Sequence, residues 1–361
     1  MNGRQRLLAA LHHQPVDRLP WAPLFDAYFT DSLPPDQRMD VLAALRYVGA
    51  DVLERHVPAI RVEHRDVYMR SLRRGDEIVN TIETPVGELV ERRLQTPFTT
   101  FIAEPFIKSV GDFPAYRYYV EHTVYLPDYN AFRLRDAAIA DDGLATVSGP
   151  QSPLQFLLGE DMGVERLTYA LYDYPAQTQD LLETMHEHNK QAYRLLAQSP
   201  SLVVIGYEDV STSTASPDMY DRFTRRYLDD YADIVHAEGK LYIAHMCGLL
   251  KGVAHLIARG RMDGLDSVTP PTTGNMPLDE ARAAWPDKVI IGGLEPKSLA
   301  MLTEAEVREY AREVIRQAGR YAQGRGIILG TGDATAHGTP LANLRAVTEV
   351  VREYGNYPLS G

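Results

Sequence analysis

Short apolar runs separated by longer stretches of mixed polarity dominate the chain. They read LPWAPLF (19–25), DVLER (51–55), LATVSG (144–149), LVVIGY (202–207), LYIAH (241–245), GLDSV (264–268), KVIIGG (288–293) and GIILGT (326–331). Each has the length of a buried strand, and most are followed by an apolar stripe at helical spacing. After the fourth run, Ser216 is placed to cap a helix that Pro217 opens. Met219, Phe223, Tyr227, Tyr231 and Val235 then recur every four residues. After the seventh run, TEAE (303–306) has the pattern of a capping box, and Val307, Tyr310, Val314 and Ile315 form one face. Eight strand–helix units predict an α/β fold, a parallel (β/α)8 TIM barrel with its helices outside.

One region breaks this rhythm. Between about 58 and 130 the pattern turns to alternation, with Gly-Asp and Val-Gly turn signals in RVEHRDVYMRSLRRGDEIVNTIETPVGELVERRLQ. It predicts antiparallel hairpins inserted after the second barrel strand and lying over one mouth. The expectation is one barrel domain over 1–361 that carries this insertion.

Composition narrows the function. Acidic residues outnumber basic ones 49 to 37, for a net charge of −12. Such a surface disfavours nucleic acid or an anionic membrane as the main partner. No apolar run is long enough to span a bilayer, and the first residues lack a signal-peptide pattern. One cysteine, Cys247, leaves no intrachain disulfide. A cytoplasmic location is expected.

Barrel chemistry sits at the carboxyl ends of the strands. There the chain places Asp26 after strand one, Glu208 and Asp209 after strand four, and His245 and Cys247 at the end of strand five. Asp266 lies on strand six, Glu295 follows strand seven and Asp333 follows strand eight. Singly, Cys247 reads more readily as a small buried hydrophobe than as a ligand, and each acid as a cap or loop residue. Together, Glu208, His245, Cys247 and Asp333 converge on one rim and suit a zinc ion. Glu208, Asp209 and Asp266 are the expected acid/base groups. Asp26, Glu295 and His337 are the expected substrate contacts. His12, His13, His56 and His64 show no metal spacing, and His186 and His188 are expected to be solvated on a polar helix. The loop GTGDATAHG (330–338) has neither Walker nor Rossmann spacing, and Gly-x-Ser-x-Gly is absent. With 21 tyrosines against 9 phenylalanines, a pocket carrying several phenols is plausible.

The chain resembles the uroporphyrinogen decarboxylase superfamily, and within it the cobalamin-dependent methyltransferase branch. The resemblance is carried by RLLAALHHQPVDRLPWAPLF (6–25), by GYEDVSTSTASPDMYDRFTRRYLDDYADIVHAEGKLYIAHMCG (206–248), by IIGGLEP (290–296) and by GTPLANLRAV (338–347). It implies the same barrel. It also implies a zinc held by His-x-Cys and a later cysteine, which activates a thiol to take a methyl group from a corrinoid. The first two ligands map onto His245 and Cys247. Asp333 stands where the later cysteine is expected, and a carboxylate is a harder, less donating ligand than a thiolate. Glu208 is the compensating candidate, since related cobalamin-independent enzymes use Glu beside His and Cys.

The resulting expectation is a zinc-dependent methyltransferase moving a methyl group between a corrinoid and a thiol or folate acceptor. No Asp-x-His-x-x-Gly signature is present, so the corrinoid (cobalamin) is expected on a separate corrinoid-carrying protein. Two alternatives stand beside it: a metal-free decarboxylase acting on a carboxylate substrate, and a non-catalytic corrinoid or tetrapyrrole carrier. Decarboxylases of the family grip their substrate with arginines after the first strand. Here that segment reads FDAYFTDSLPPDQR, which is acidic.

Overall fold

The structure, a computed structural model, describes residues 1–96, 99–320 and 324–359. All eight apolar runs lie where barrel strands are needed. In chain order, the first strand of the barrel is β1 (Val52–Glu54). The insertion follows as β2 (Ile60–His64), β3 (Tyr68–Arg74), β4 (Glu77–Thr84), β5 (Gly87–Gln95), β6 (Thr100–Glu104) and β7 (Thr123–Pro127). The barrel resumes with β8 (Gly143–Ala145), β9 (Val147–Gly149), β10 (Val203–Glu208), β11 (Leu241–Met246), β12 (Gly264–Val268), β13 (Val289–Leu294) and β14 (Ile327–Thr331). β1 pairs with β8, and β9 to β14 pair in sequence, all parallel.

The run 19–25 closes the ring without becoming a regular strand. Pro20 and Pro23 supply no N–H to a ladder. Trp21 still bridges Leu329 in parallel. Ala22 N–H donates to the Leu329 carbonyl at 2.8 Å, and Leu329 N–H to the Pro20 carbonyl at 2.9 Å. Leu24 N–H turns instead to the Thr331 hydroxyl. On the other side Asp51 N–H donates to the Trp21 carbonyl at 2.7 Å.

Strand alternation sorts the core into two layers. Leu53, Leu144, Val203, Ile205, Ile243, Val289, Ile291 and Ile328 fill the barrel interior. The helix Gly3–Leu11 plugs the amino end with Leu7 and Leu11. Val204, Tyr242, Ala244, Met246, Leu265 and Ile290 point outward against the helices. Ser216 caps the helix that Pro217 opens, and Thr303 and Glu306 form the expected capping box. The four-residue spacing over 219–235 is longer than an α-helical turn. A π-helical turn at Asp221–Arg225 absorbs part of that difference and keeps Phe223, Tyr227 and Tyr231 buried.

The insertion is antiparallel, as the alternation predicts. β3 to β6 form a meander and β2 pairs with β7. It also contains a helix, Phe113–Glu121, which the alternation did not indicate. Because it leaves the carboxyl end of β1, it lies on the side of the barrel mouth formed by the carboxyl ends of the strands. Its own apolar cluster joins Ile82, Leu89, Phe113 and Tyr116 to Leu154, Leu181 and Met185.

Candidate active site at the barrel mouth

The rim is organised around one buried charge pair. Arg55, immediately after β1, donates through Nη2 to Asp266 Oδ1 at 2.8 Å and through Nε to Oδ2 at 3.1 Å. Both side chains are almost wholly buried. Burial alone would push the Asp266 carboxyl up. The Arg55 guanidinium and the His245 ring outweigh it and hold Asp266 well below the usual carboxylate range. An ionised carboxylate only accepts. The 2.8 Å contact between His245 Nδ1 and Asp266 Oδ2 therefore puts the proton on Nδ1. In the neutral ring, Nε2 then presents its lone pair.

His245 Nε2 stands 3.9 Å from Asp333 Oδ1. The His245 ring lies against Tyr207 at 4.3 Å between centroids, and Tyr207 lies against His56 at 3.9 Å. His56 Nδ1 reaches the Ser148 hydroxyl at 2.8 Å. Two residues beyond His245, the half-buried Cys247 thiol points to Asp209 Oδ1 at 3.6 Å. Burial, then the nearby Asp209 and Asp333 carboxylates, push the thiol pKa up, so it is held as the thiol. Burial likewise raises Asp333. The chain leading into Asp333 is pinned by Ser267 and Thr269, whose hydroxyls both donate to the Gly332 carbonyl.

These groups are the donor types zinc favours, an imidazole with an oriented lone pair, a thiol and carboxylates. As they stand they form pairs. Among the described residues, no group of three or more His, Cys, Asp and Glu side chains is gathered around a single point that an ion could fill.

Several expected site residues take other positions. Glu208 is in register with Met246, whereas Tyr207 is in register with His245. Because neighbouring residues of a strand point to opposite faces, Glu208 turns away from His245 into the layer between sheet and helices. There it accepts from Ser152 N at 2.8 Å and Ser152 Oγ at 2.6 Å. Burial raises its pKa to about 8 against these hydrogen bonds. Glu208 is therefore corrected from rim ligand or acid/base group to a buried structural carboxyl. Asp266 is corrected from proton-transfer group to the residue that orients His245, since both its oxygens are engaged. Glu295 is buried and caps the helix Pro296–Met301 through Ser298 N and Oγ. Asp26 caps Ala27–Asp31 through Phe29 N at 2.7 Å. Both oxygens of Glu295 are engaged, by Thr273 and Ser298, whereas Asp26 is held through Oδ1 alone. His337 lies exposed on the loop after β14 with its ring 5.2 Å from that of Tyr28. His186 and His188 are buried, not solvated, because insertion and helices close over the helix Pro175–Gln198.

Sequence reasoning passed over Arg55, Tyr207 and Ser148. Arg55 carried a usable signal, its position at the carboxyl end of a barrel strand, the same position that singled out the acids. Nothing in the local sequence marks Tyr207 or Ser148, because their contacts cross between strands.

A parallel eight-unit barrel with a polar, charge-paired mouth at its strand ends is the architecture of a (β/α)8 enzyme. Residues 144–354 match the uroporphyrinogen decarboxylase (URO-D) family, which takes in more than half of the chain. The chain belongs to that family. It is 28% identical over 216 residues to a curated uroporphyrinogen decarboxylase from Anaeromyxobacter dehalogenans (strain 2CP-C), a match covering 58% of each protein. Thus the match spans only a little over half the length of that relative. Among solved structures, a methyltransferase from Methanosarcina mazei superposes with a TM-score of 0.65 over 98% of this chain and 99% of its own, at 14% identity. That likeness concerns the fold. Membership of that family suggests an enzyme. Among the described residues no helix is long and apolar enough to cross a membrane.

Proposed function

We propose that the protein is a zinc-dependent methyltransferase that moves a methyl group between a corrinoid, carried by a separate protein, and a small acceptor such as a thiol or folate. The observation that carries this reading is the Arg55–Asp266–His245 chain, which fixes the His245 tautomer and turns Nε2 toward the rim. Buried carboxylates of this kind orient metal-binding histidines. His245, Cys247 and Asp333 would hold the ion, with Asp209 beside the Cys247 thiol. Bound zinc would supply a Lewis acid that binds and activates the acceptor. The chain's own residues have distinct tasks. Arg55 keeps Asp266 ionised, Asp266 holds the proton on Nδ1, and Tyr207 packs flat against the ring so that it cannot swing away.

A carboxylate-cleaving activity, suggested by the name of the curated relative, is less well supported by this rim. The buried Arg55 is already neutralised by Asp266, and Asp209 and Asp333 add negative charge where a substrate carboxylate would have to enter.

The test is zinc content of the purified chain after dialysis against the metal, for the wild type, His245→Ala and Cys247→Ala. About one zinc per wild-type chain is expected, with marked loss in both variants. Uptake that neither substitution changes, or no uptake at all, overturns the proposal.

A further inference from the structure

The insertion is fastened to the barrel at one buried carboxyl. Asp161 ends the π-helical turn Leu157–Asp161, in the segment that follows β9, and is almost wholly buried. Two groups of the insertion meet it. Ile107 N–H donates to its backbone carbonyl at 2.8 Å, and the Tyr116 hydroxyl donates to its Oδ2. Tyr116 is itself buried on the helix Phe113–Glu121.

The charges around this joint do not balance. Glu91 on β5 is buried, and Glu160 precedes Asp161 in the chain. A single guanidinium serves both. Arg93 donates to the two oxygens of Glu91 at 2.8 Å each and to Glu160 at 3.0 Å. Other cations nearby are taken. Lys108 gives its ammonium to the Val90 carbonyl and to Glu104, and Arg117 pairs with Glu121 and Asp180. Asp112 accepts from the Lys108 and Ser109 amides, and Glu165 and Arg166 at the start of the next helix are exposed. Tyr119, whose ring lies 5.9 Å from that of Tyr116, is a neutral phenol like Tyr116. Among the described residues Asp161 therefore has no ion pair, and its side chain is held by a neutral hydroxyl. A carboxylate buried in this way is costly unless it keeps its proton. Burial, reinforced by Glu91 and Glu160, raises the Asp161 pKa to about 7 against the Tyr116 hydrogen bond and Arg93.

The same joint walls a cavity. Tyr116, Tyr119 and Val120 line one side of a space of about 420 Å3, and Met185 and Asn189 of the helix Pro175–Gln198 line the other. We propose that Asp161 is a proton-operated latch that holds the insertion closed over this cavity. With its proton, the carboxyl sits in the joint as a neutral group. When the proton leaves to solvent, a buried negative charge faces Glu91 and Glu160 without a cation of its own. Opening the joint lets water reach that charge, frees Tyr116 and loosens the helix Phe113–Glu121. In the open joint the carboxyl titrates near its ordinary 3.8, in the closed one near 7. The advantage of closing is thus full below the lower value and is lost as pH rises through the higher. The latch needs neither zinc nor a corrinoid.

The test is hydrogen exchange of the full chain at about pH 5.5 and about pH 8.5, with rates corrected for the intrinsic effect of pH. The helix Phe113–Glu121 is read against the barrel helix Leu341–Tyr354, which reports changes common to the whole fold. In the wild type, protection of the insertion helix should fall by at least about tenfold more than that of the barrel helix. Asp161→Asn keeps the shape and the acceptor for Tyr116 but cannot ionise, so the two helices should then change alike. Glu91→Gln removes a buried negative neighbour and frees Arg93, so the midpoint of the change should move to lower pH. The proposal is overturned by equal changes of the two helices in the wild type, by a difference that survives Asp161→Asn, or by a midpoint that Glu91→Gln leaves in place or raises. The wild-type comparison decides by itself should a variant fail to fold.

Discussion

Asp266 Oδ2 lies 2.8 Å from His245 Nδ1 while the same carboxylate is bound by both Nε and Nη2 of Arg55. These three residues come from β12, β11 and the end of β1, and their contact fixes which nitrogen of His245 is open at the mouth. A substitution at Asp266 therefore has two separable consequences.

Asp266→Asn leaves Arg55 buried without its counter-charge and releases the tautomer of His245. Unfolding in urea should show a loss of about 3–5 kcal/mol, the size expected when one partner of a buried ion pair is removed. Zinc titration should show affinity down by roughly 10–100-fold, as for other residues that orient metal ligands. Unchanged affinity in a folded variant would separate His245 from metal binding.

Asp333 is the rim carboxylate facing His245 Nε2 at 3.9 Å. Asp333→Ala should lose much of the metal affinity, because a negative ligand is removed from a dication. Asp333→Cys should keep the metal and favour thiol alkylation, since thiolate donates more charge than carboxylate. Competition with a coloured chelator distinguishes the three proteins. Should Asp333→Ala bind as tightly as wild type, Asp209 becomes the carboxylate to examine beside Cys247.

Glu208 gives a pH dependence whose sign follows from its burial. Its pKa rises from an ordinary 4.5 to about 8 in the folded chain. The folded state therefore retains a proton that the unfolded state releases between these values. The stability tied to that proton is full below pH 4.5 and declines as pH rises through 8. Urea unfolding at pH 5.5 and pH 8.5 should show a decline in wild type that is smaller in Glu208→Gln, by on the order of 2–4 kcal/mol. Equal declines would mean that Glu208 is ionised in the folded chain.

Gly206 sits where β10 faces the helix layer. A Cβ there would stand 2.1 Å from the Tyr242 hydroxyl and 3.1 Å from that of Tyr193. Both rings are fully buried and have little room to retreat. Gly206→Ala should destabilise the fold by roughly 1–3 kcal/mol through overpacking. Because this residue faces away from the mouth, zinc uptake by the folded variant should be unchanged.

The barrel itself was legible in the one-dimensional pattern. Eight apolar runs at strand length, helices opened by Ser216-Pro217 and by the Thr303–Glu306 box, and a change to alternation at the insertion all express local preferences. Such preferences survive into the fold because burial on both faces of a parallel sheet demands continuous apolar runs. The positions of His245, Cys247 and Asp333 near one rim follow from the same topology, since parallel strands all end on one side. Their partners were decided elsewhere. Which face Glu208 takes depends on β10 register, and one residue of alternation separates it from Tyr207 and the mouth. Arg55 finds Asp266 211 residues away in the chain, and the low dielectric around them makes that pairing strong. His188 appeared to lie on a polar helix and is buried only because the insertion folds back across it. Periodicity reports whether a side chain is covered by its own element, whereas ion pairs, tautomers and cavities are made by elements that meet only in three dimensions.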